Sequence, residues 1–101
     1  MFENFRTYKI AVDFYRNCQA IKLPRHLKDQ LDRASSSIAL NLAEGRGKPT
    51  TKDQRRFFYI ALGSVRECQA ILDIGGLKDS LEWNIIDHLA ASLYQLIKRA
   101  N

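Results

Sequence analysis

Apolar residues recur along this chain every three or four positions in four separate blocks, a spacing that predicts four amphipathic α-helices. In the first block Phe5, Tyr8, Val12, Tyr15, Cys18 and Ile21 share one face, with Asn4 placed to cap the helix start through its side chain. Pro24 disfavours helical geometry at Leu23 and offers no backbone donor, so it ends this helix and suits the opening of the next. Leu27, Leu31, Ala34, Ile38 and Leu42 mark the second stripe, over about Arg25 to Glu44, and Gly45 is expected as its left-handed C-terminal cap. The third helix, from about Lys52 to Ile74 with Thr50 or Thr51 as N-cap, is apolar on more than one face. Phe57, Phe58, Tyr59, Ile60, Ala61 and Leu62 follow one another directly, and Val65, Cys68, Ile71 and Leu72 continue the pattern. Such a helix is expected to be covered on two sides, by its own bundle and by something else. Gly75 and Gly76 stop it, Lys78 to Glu82 form a polar connection with Ser80 as N-cap, and Trp83, Ile86, Leu89, Ala90, Leu93, Leu96 or Ile97, and Ala100 give the fourth stripe.

Short connections, no strand alternation and no repeat predict an all-α fold, an antiparallel up-and-down four-helix bundle forming one domain over residues 1–101. Beside the apolar stripe of the second helix runs a polar row, Gln30, Arg33, Ser37, Asn41 and Glu44, among small residues that let another helix come close. With Phe57, Phe58, Gly63 and Ser64 of the third helix, Ser37, Asn41 and Glu44 are therefore assigned to helix packing or subunit contact. Gly63 costs about 1 kcal/mol of helix propensity, a loss that close packing offsets.

Charge changes the picture more than composition does. The net charge is +5, yet residues 1–66 carry 13 Lys and Arg against 6 Asp and Glu, a net of +7, and residues 67–101 carry 3 against 5, a net of −2. A basic bias confined to one part of a chain fits a protein that meets a polyanion on one side. The turn from Gly45 to Thr51 and the helix start after it bring together Arg46, Lys48, Lys52, Arg55 and Arg56, close to the backbone donors of a helix N-terminus, as candidate phosphate contacts. Arg6, Lys9, Arg16, Lys22, Arg25 and Lys28 form a second candidate group. Gly45, Gly47 and Lys48 do not make a nucleotide-binding loop, because that motif needs a preceding strand, a longer glycine spacing and Ser or Thr where Pro49 stands. The aromatic run beside Arg55 and Arg56 has the chemistry to stack unpaired bases, but core and subunit packing accounts for it first.

Catalytic and metal chemistry find no support. Glu44 has no nucleophile, base or ligand at a working spacing, His26 and His88 stand apart, and no Glu-x-x-His occurs for a bundle dimetal site. The expectation is a non-enzymatic protein with no cofactor and no metal. Cys18 and Cys68 sit inside apolar helical patterns and read as small buried hydrophobes, with a disulfide between them left open. No apolar run has signal or membrane-spanning length, so no membrane contact and a cytoplasmic location are expected.

The central residues carry a family resemblance. Arg33-Ala34, Ser37-Ile38, Asn41, Ala43-Glu44-Gly45, then Phe57, Ile60 to Ser64 and Glu67 resemble the signature of the four-helix-bundle proteins encoded in intervening sequences of bacterial 23S ribosomal RNA genes. Leu23-Pro24 and the Gln30 to Arg33 segment extend the likeness over nearly the whole chain. The resemblance implies a homopentameric ring and, from genomic setting and charge, an RNA or DNA contact. It also implies a remote similarity in fold to the accessory variability protein of diversity-generating retroelements, which binds nucleic acid and a reverse transcriptase. Two functions follow as expectations: a nucleic-acid-binding oligomer, or a protein-interaction scaffold for an enzyme such as a reverse transcriptase.

Overall fold

The computed structural model describes residues 2–100, with side chains from Arg6 onward. Four helices account for nearly all of it: α1 (Phe2–Cys18), α2 (Arg25–Arg46), α3 (Thr51–Ile74) and α4 (Leu81–Arg99). Each packs against its neighbours in chain order, and α4 closes back on α1. Cross-helix bonds set the direction. Arg33 pairs with Glu67 and Ser37 Oγ lies 3.0 Å from Ser64 Oγ, so α2 and α3 are antiparallel. Arg55 to Ala100 O and Arg66 to Tyr94 do the same for α3 and α4, and Thr7 beside Ser92 at 2.7 Å, with Asn17 sharing a hollow with Asn84, does so for α1 and α4. The chain is all-α, with no strand among the described residues.

The helix ends follow local chemistry. Pro24 is the N-cap of α2, its carbonyl accepting from Leu27 N at 3.0 Å and Lys28 N at 2.9 Å. The side-chain hydroxyl of Thr50 accepts from Asp53 N at 3.1 Å to start α3, and that of Ser80 accepts from Trp83 N at 3.1 Å to start α4. At the end of α3, Gly76 takes a left-handed φ of 76° while Leu77 N reaches Leu72 O at 2.8 Å and Gly76 N reaches Asp73 O at 3.0 Å. That is the paired-bond cap for which glycine is the least strained residue. Lys28 Nζ donates to Cys18 O at 2.8 Å, a carbonyl that also accepts from Ile21 N at 3.1 Å, and so places a cation at the end of α1.

Two expectations about α1 need correction. The helix is already formed at Phe2, so Asn4 lies inside the first turn and is not its N-cap; the side chains of Asn4 and Phe5 lie outside those described. The buried face is turned by one residue from the face expected: Thr7, Ala11, Phe14 and Cys18 are buried, and Tyr8, Val12 and Tyr15 are half-buried beside them. Small Thr7 and Ala11 let α1 approach its neighbours closely, Thr7 finds a hydroxyl partner in Ser92, and the tyrosines at the boundary keep their polar ends near water.

Gly45 is also not a left-handed cap. It is buried inside α2, which runs on to Arg46 and ends at Gly47 with right-handed geometry. A Cβ at Gly45 would stand 2.8 Å from Phe58 Cε1 and 3.0 Å from Phe57 Cβ, so the glycine is there for the approach of α3. Gly63 behaves in the opposite way: nothing lies within 4 Å of the position its Cβ would take, so it makes no close packing inside the chain.

Phe14 and Phe58 are the largest fully buried side chains, surrounded by aliphatic residues of all four helices. Cys18 and Cys68 belong to this core and are free thiols. Burial disfavours the thiolate and lifts Cys18 from its ordinary 9.0 to about 12, with Glu82 adding to the effect. Burial also pushes Cys68 up, with Cys18 contributing. Between the unfolded and folded values the unfolded chain binds fewer protons, so unfolding is favoured as pH rises through that window and is indifferent to these groups below it. The denaturant midpoint is therefore expected to fall from about pH 9 upward, and less steeply when both cysteines are replaced by alanine. Equal slopes in the two proteins would contradict the assignment.

Candidate nucleic-acid interface

Antiparallel order decides which charges meet. The start of α1, the end of α2, the start of α3 and the end of α4 share one pole of a body measuring 40 × 21 × 18 Å. Arg6, Arg46, Lys48, Lys52, Arg55, Arg56, Lys98 and Arg99 gather there, against only Glu44 and Asp53 among the acidic side chains described at that end. The opposite pole is mixed: Lys22, Arg25, Lys28 and Lys78 stand among Asp29, Asp32, Asp73, Asp79 and Glu82.

Within the basic pole the expected phosphate contacts differ in exposure. Lys52 and Arg56 are exposed on the first turns of α3, and Arg46 is exposed at the end of α2 beside a hollow lined by Tyr8, Ala43 and Gly47. Arg56 also lies over the Phe57 ring, its guanidinium carbon 5.4 Å from the centroid, which fixes the side chain without covering it. Lys48 is committed twice, to Glu44 at 3.1 Å and to the Phe57 ring at 5.0 Å from its centroid. Arg55 is half-buried and donates from Nη2 to Ala100 O at 3.0 Å, so it caps α4. One end of its guanidinium is thus engaged by the fold.

The second candidate group is split by the fold. Arg6 belongs to the basic pole and Lys9 lies near the middle of α1, whereas Arg16, Lys22, Arg25 and Lys28 sit at the other end of a helix about 25 Å long. Lys28 is occupied by Cys18 O and by Asp32 at 3.1 Å. Lys98 and Arg99 were missed because the last third of the chain is net acidic; the signal was in the topology, since an even-numbered helix of an up-and-down bundle ends where the first begins.

The polar row of α2 forms a seam with α3. Asn41 Nδ2 donates to Ser37 O at 2.9 Å and to Ser37 Oγ at 3.0 Å, and the Ser37 hydroxyl also meets Ser64. Glu44 lies outside this network, exposed and paired with Lys48. Flanking the seam on the outer surface are Leu40 at 68% exposure and Ile60 at 46%, with Tyr59, Gly63 and Ile74 also open. Phe57 is half-buried and Phe58 fully buried, so the aromatic run serves packing before any base contact.

Among the described residues no three His, Cys, Asp or Glu side chains gather as a metal site, and no helix is long and apolar enough to cross a membrane. Neither a curated protein nor a solved structure matches the chain. Its sequence does match a family described as 23S rRNA-intervening sequence protein, over residues 3–101; with all but the first two residues inside that match, the chain belongs to the 23S rRNA-intervening sequence protein family.

Proposed function

We propose that this protein is a non-enzymatic, nucleic-acid-binding oligomer whose basic pole contacts the phosphates of RNA or DNA. The observation that carries the reading is the gathering of cations from all four helices at one end, with Arg46, Lys52 and Arg56 exposed there. Contacts of this kind are made to the backbone, so affinity is expected to depend on salt far more than on sequence. Self-association, as the homopentameric ring that the family resemblance implies, is supported by the exposed apolar surface of α2 and α3, where Leu40, Tyr59 and Ile60 find no cover within the chain. A ring would set several basic poles side by side and raise affinity through multiple contacts. The same surface is the observation that favours the second reading, a scaffold that recruits a nucleic-acid enzyme such as a reverse transcriptase.

The test compares two triple variants on a structured RNA and a DNA duplex across a salt series. Arg46→Gln with Lys52→Gln and Arg56→Gln is expected to weaken binding by roughly tenfold or more and to reduce the salt slope by about 2. Arg16→Gln with Lys22→Gln and Arg25→Gln removes equal charge from the other pole and is expected to change little. Equal loss in both variants, or binding indifferent to salt, overturns the reading. Light scattering on the same preparation is expected to give a mass five times the 11.6 kDa protomer. A protomer mass removes the ring, and a protein retained after nuclease treatment in place of RNA binding favours the scaffold.

A further inference from the structure

Beside the basic pole, α1 and α4 border an open hollow of about 250 Å³. Arg6 and Thr7 line it from α1, and His88, Ser92, Gln95 and Arg99 from α4, at the three- and four-residue intervals of one helix face. The buried part of the lining is mixed: Thr7 is 1% exposed, with its hydroxyl 2.7 Å from that of Ser92, and Leu96 lies beside them. Among the described residues the lining carries two guanidiniums, an imidazole and a carboxamide, and no Asp or Glu. From this convergence we infer that the hollow is a binding site for a terminal phosphate, a phosphomonoester dianion carried by the end of a nucleic-acid strand or by a free nucleotide.

The ligand class follows from charge, donor geometry and size. Guanidinium groups present planar forks that match phosphate oxygens in pairs, and charge-assisted bonds of this type are the stronger ones. A monoester exposes three oxygens and about two negative charges near neutral pH, whereas an internal phosphodiester offers two free oxygens and one charge. The number of donors around the hollow suits the first. At about 30 Å³ per water the volume holds roughly eight waters, enough for a phosphate and part of its shell. It falls below the roughly 300 Å³ at which pockets begin to enclose a drug-sized molecule, so the attached sugar and base stay outside. Placement agrees, since Arg99 ends α4 and Arg6 lies in the first turns of α1, where a strand crossing Lys52 and Arg56 would reach. The strand-end form of the inference rests on the nucleic-acid reading above; the nucleotide form does not.

The experiment uses the full chain and four probes: a short single-stranded RNA with a 5′-phosphate, its unphosphorylated twin, adenosine 5′-monophosphate and adenosine. The phosphorylated strand is expected to bind roughly tenfold more tightly than its twin. Ala91→Leu fills the hollow from an exposed lining position without changing any charge, and it is expected to abolish that preference. Arg99→Gln is a second variant should the first perturb folding. Lys98→Gln removes a neighbouring charge outside the cavity and is expected to weaken both strands alike. Binding of the monophosphate but not adenosine, without a strand preference, assigns the site to free nucleotides. The inference is overturned if neither phosphorylated probe exceeds its unphosphorylated partner, or if the preference survives Ala91→Leu. Equal, salt-sensitive binding of both strands with no preference for the monophosphate over adenosine would remove the pocket and leave the basic pole standing; no binding of either strand beside retained monophosphate binding would do the reverse.

Discussion

Phe14→Ala is expected to lower the unfolding free energy by about 3–5 kcal/mol, and Tyr15→Ala by about 1 kcal/mol. The two aromatic rings are adjacent in sequence and differ by a hydroxyl, so composition alone gives no reason for the contrast. Position does. Phe14 is 0% exposed among residues of the common core, and truncating it removes apolar area and leaves a cavity that a close-packed bundle fills only in part. Tyr15 is half-buried at the edge of α1, where a truncated side chain is replaced by water. For a domain of this length, with stability on the order of 5–15 kcal/mol, the first change consumes much of the margin. It should move the thermal midpoint down by roughly 15 °C or more. A denaturant titration of the two variants measures the difference directly. Comparable losses would mean that α1 is turned toward Tyr8, Val12 and Tyr15, the face expected from large apolar residues alone.

That contrast shows where the fold is readable in the sequence and where it is not. The spacing of Leu31, Ala34, Ile38 and Leu42, and of Ile86, Leu89, Leu93 and Leu96, fixes the buried faces of α2 and α4, because no other face competes. In α1 two faces compete. Tyr8, Val12 and Tyr15 are larger than Thr7 and Ala11, and a count of apolar size favours the wrong one; the chain instead buries the residues that allow close approach and finds Thr7 a hydroxyl partner. The charges divide similarly. Those on the α2–α3 turn were visible as a cluster, because sequence neighbours on one turn remain neighbours in space. Arg99 beside Arg6, and Lys28 folded back onto Cys18 O, depend on which helix ends meet, and no local pattern records that. The bond from Arg55 Nη2 to Ala100 O likewise joins two helix ends that lie far apart in sequence.

Gly45→Val is expected to cost about 3 kcal/mol, while Gly63→Ala in the separated chain gains up to about 1 kcal/mol. Both glycines occupy helix interiors, where glycine is a poor residue by about the same amount, and helix propensity predicts a gain from either replacement. Packing separates them. A Cβ on Gly45 would come within 3.0 Å of the Phe58 ring, 0% exposed, and of Phe57 Cβ, and valine adds two methyl groups to that clash. The buried Phe58 ring and the Phe57 Cβ cannot give way without disturbing α3, so strain outweighs the propensity gain. At Gly63 nothing stands within 4 Å, and alanine only narrows the unfolded ensemble. Equilibrium unfolding of each variant against the parent, at concentrations where light scattering gives the protomer mass, reads both signs. A loss at Gly63 that grows with protein concentration would have a different cause from strain within the fold: a neighbouring chain lying against α3 at the open surface beside Ile60, where the assembly proposed above has its apolar contact.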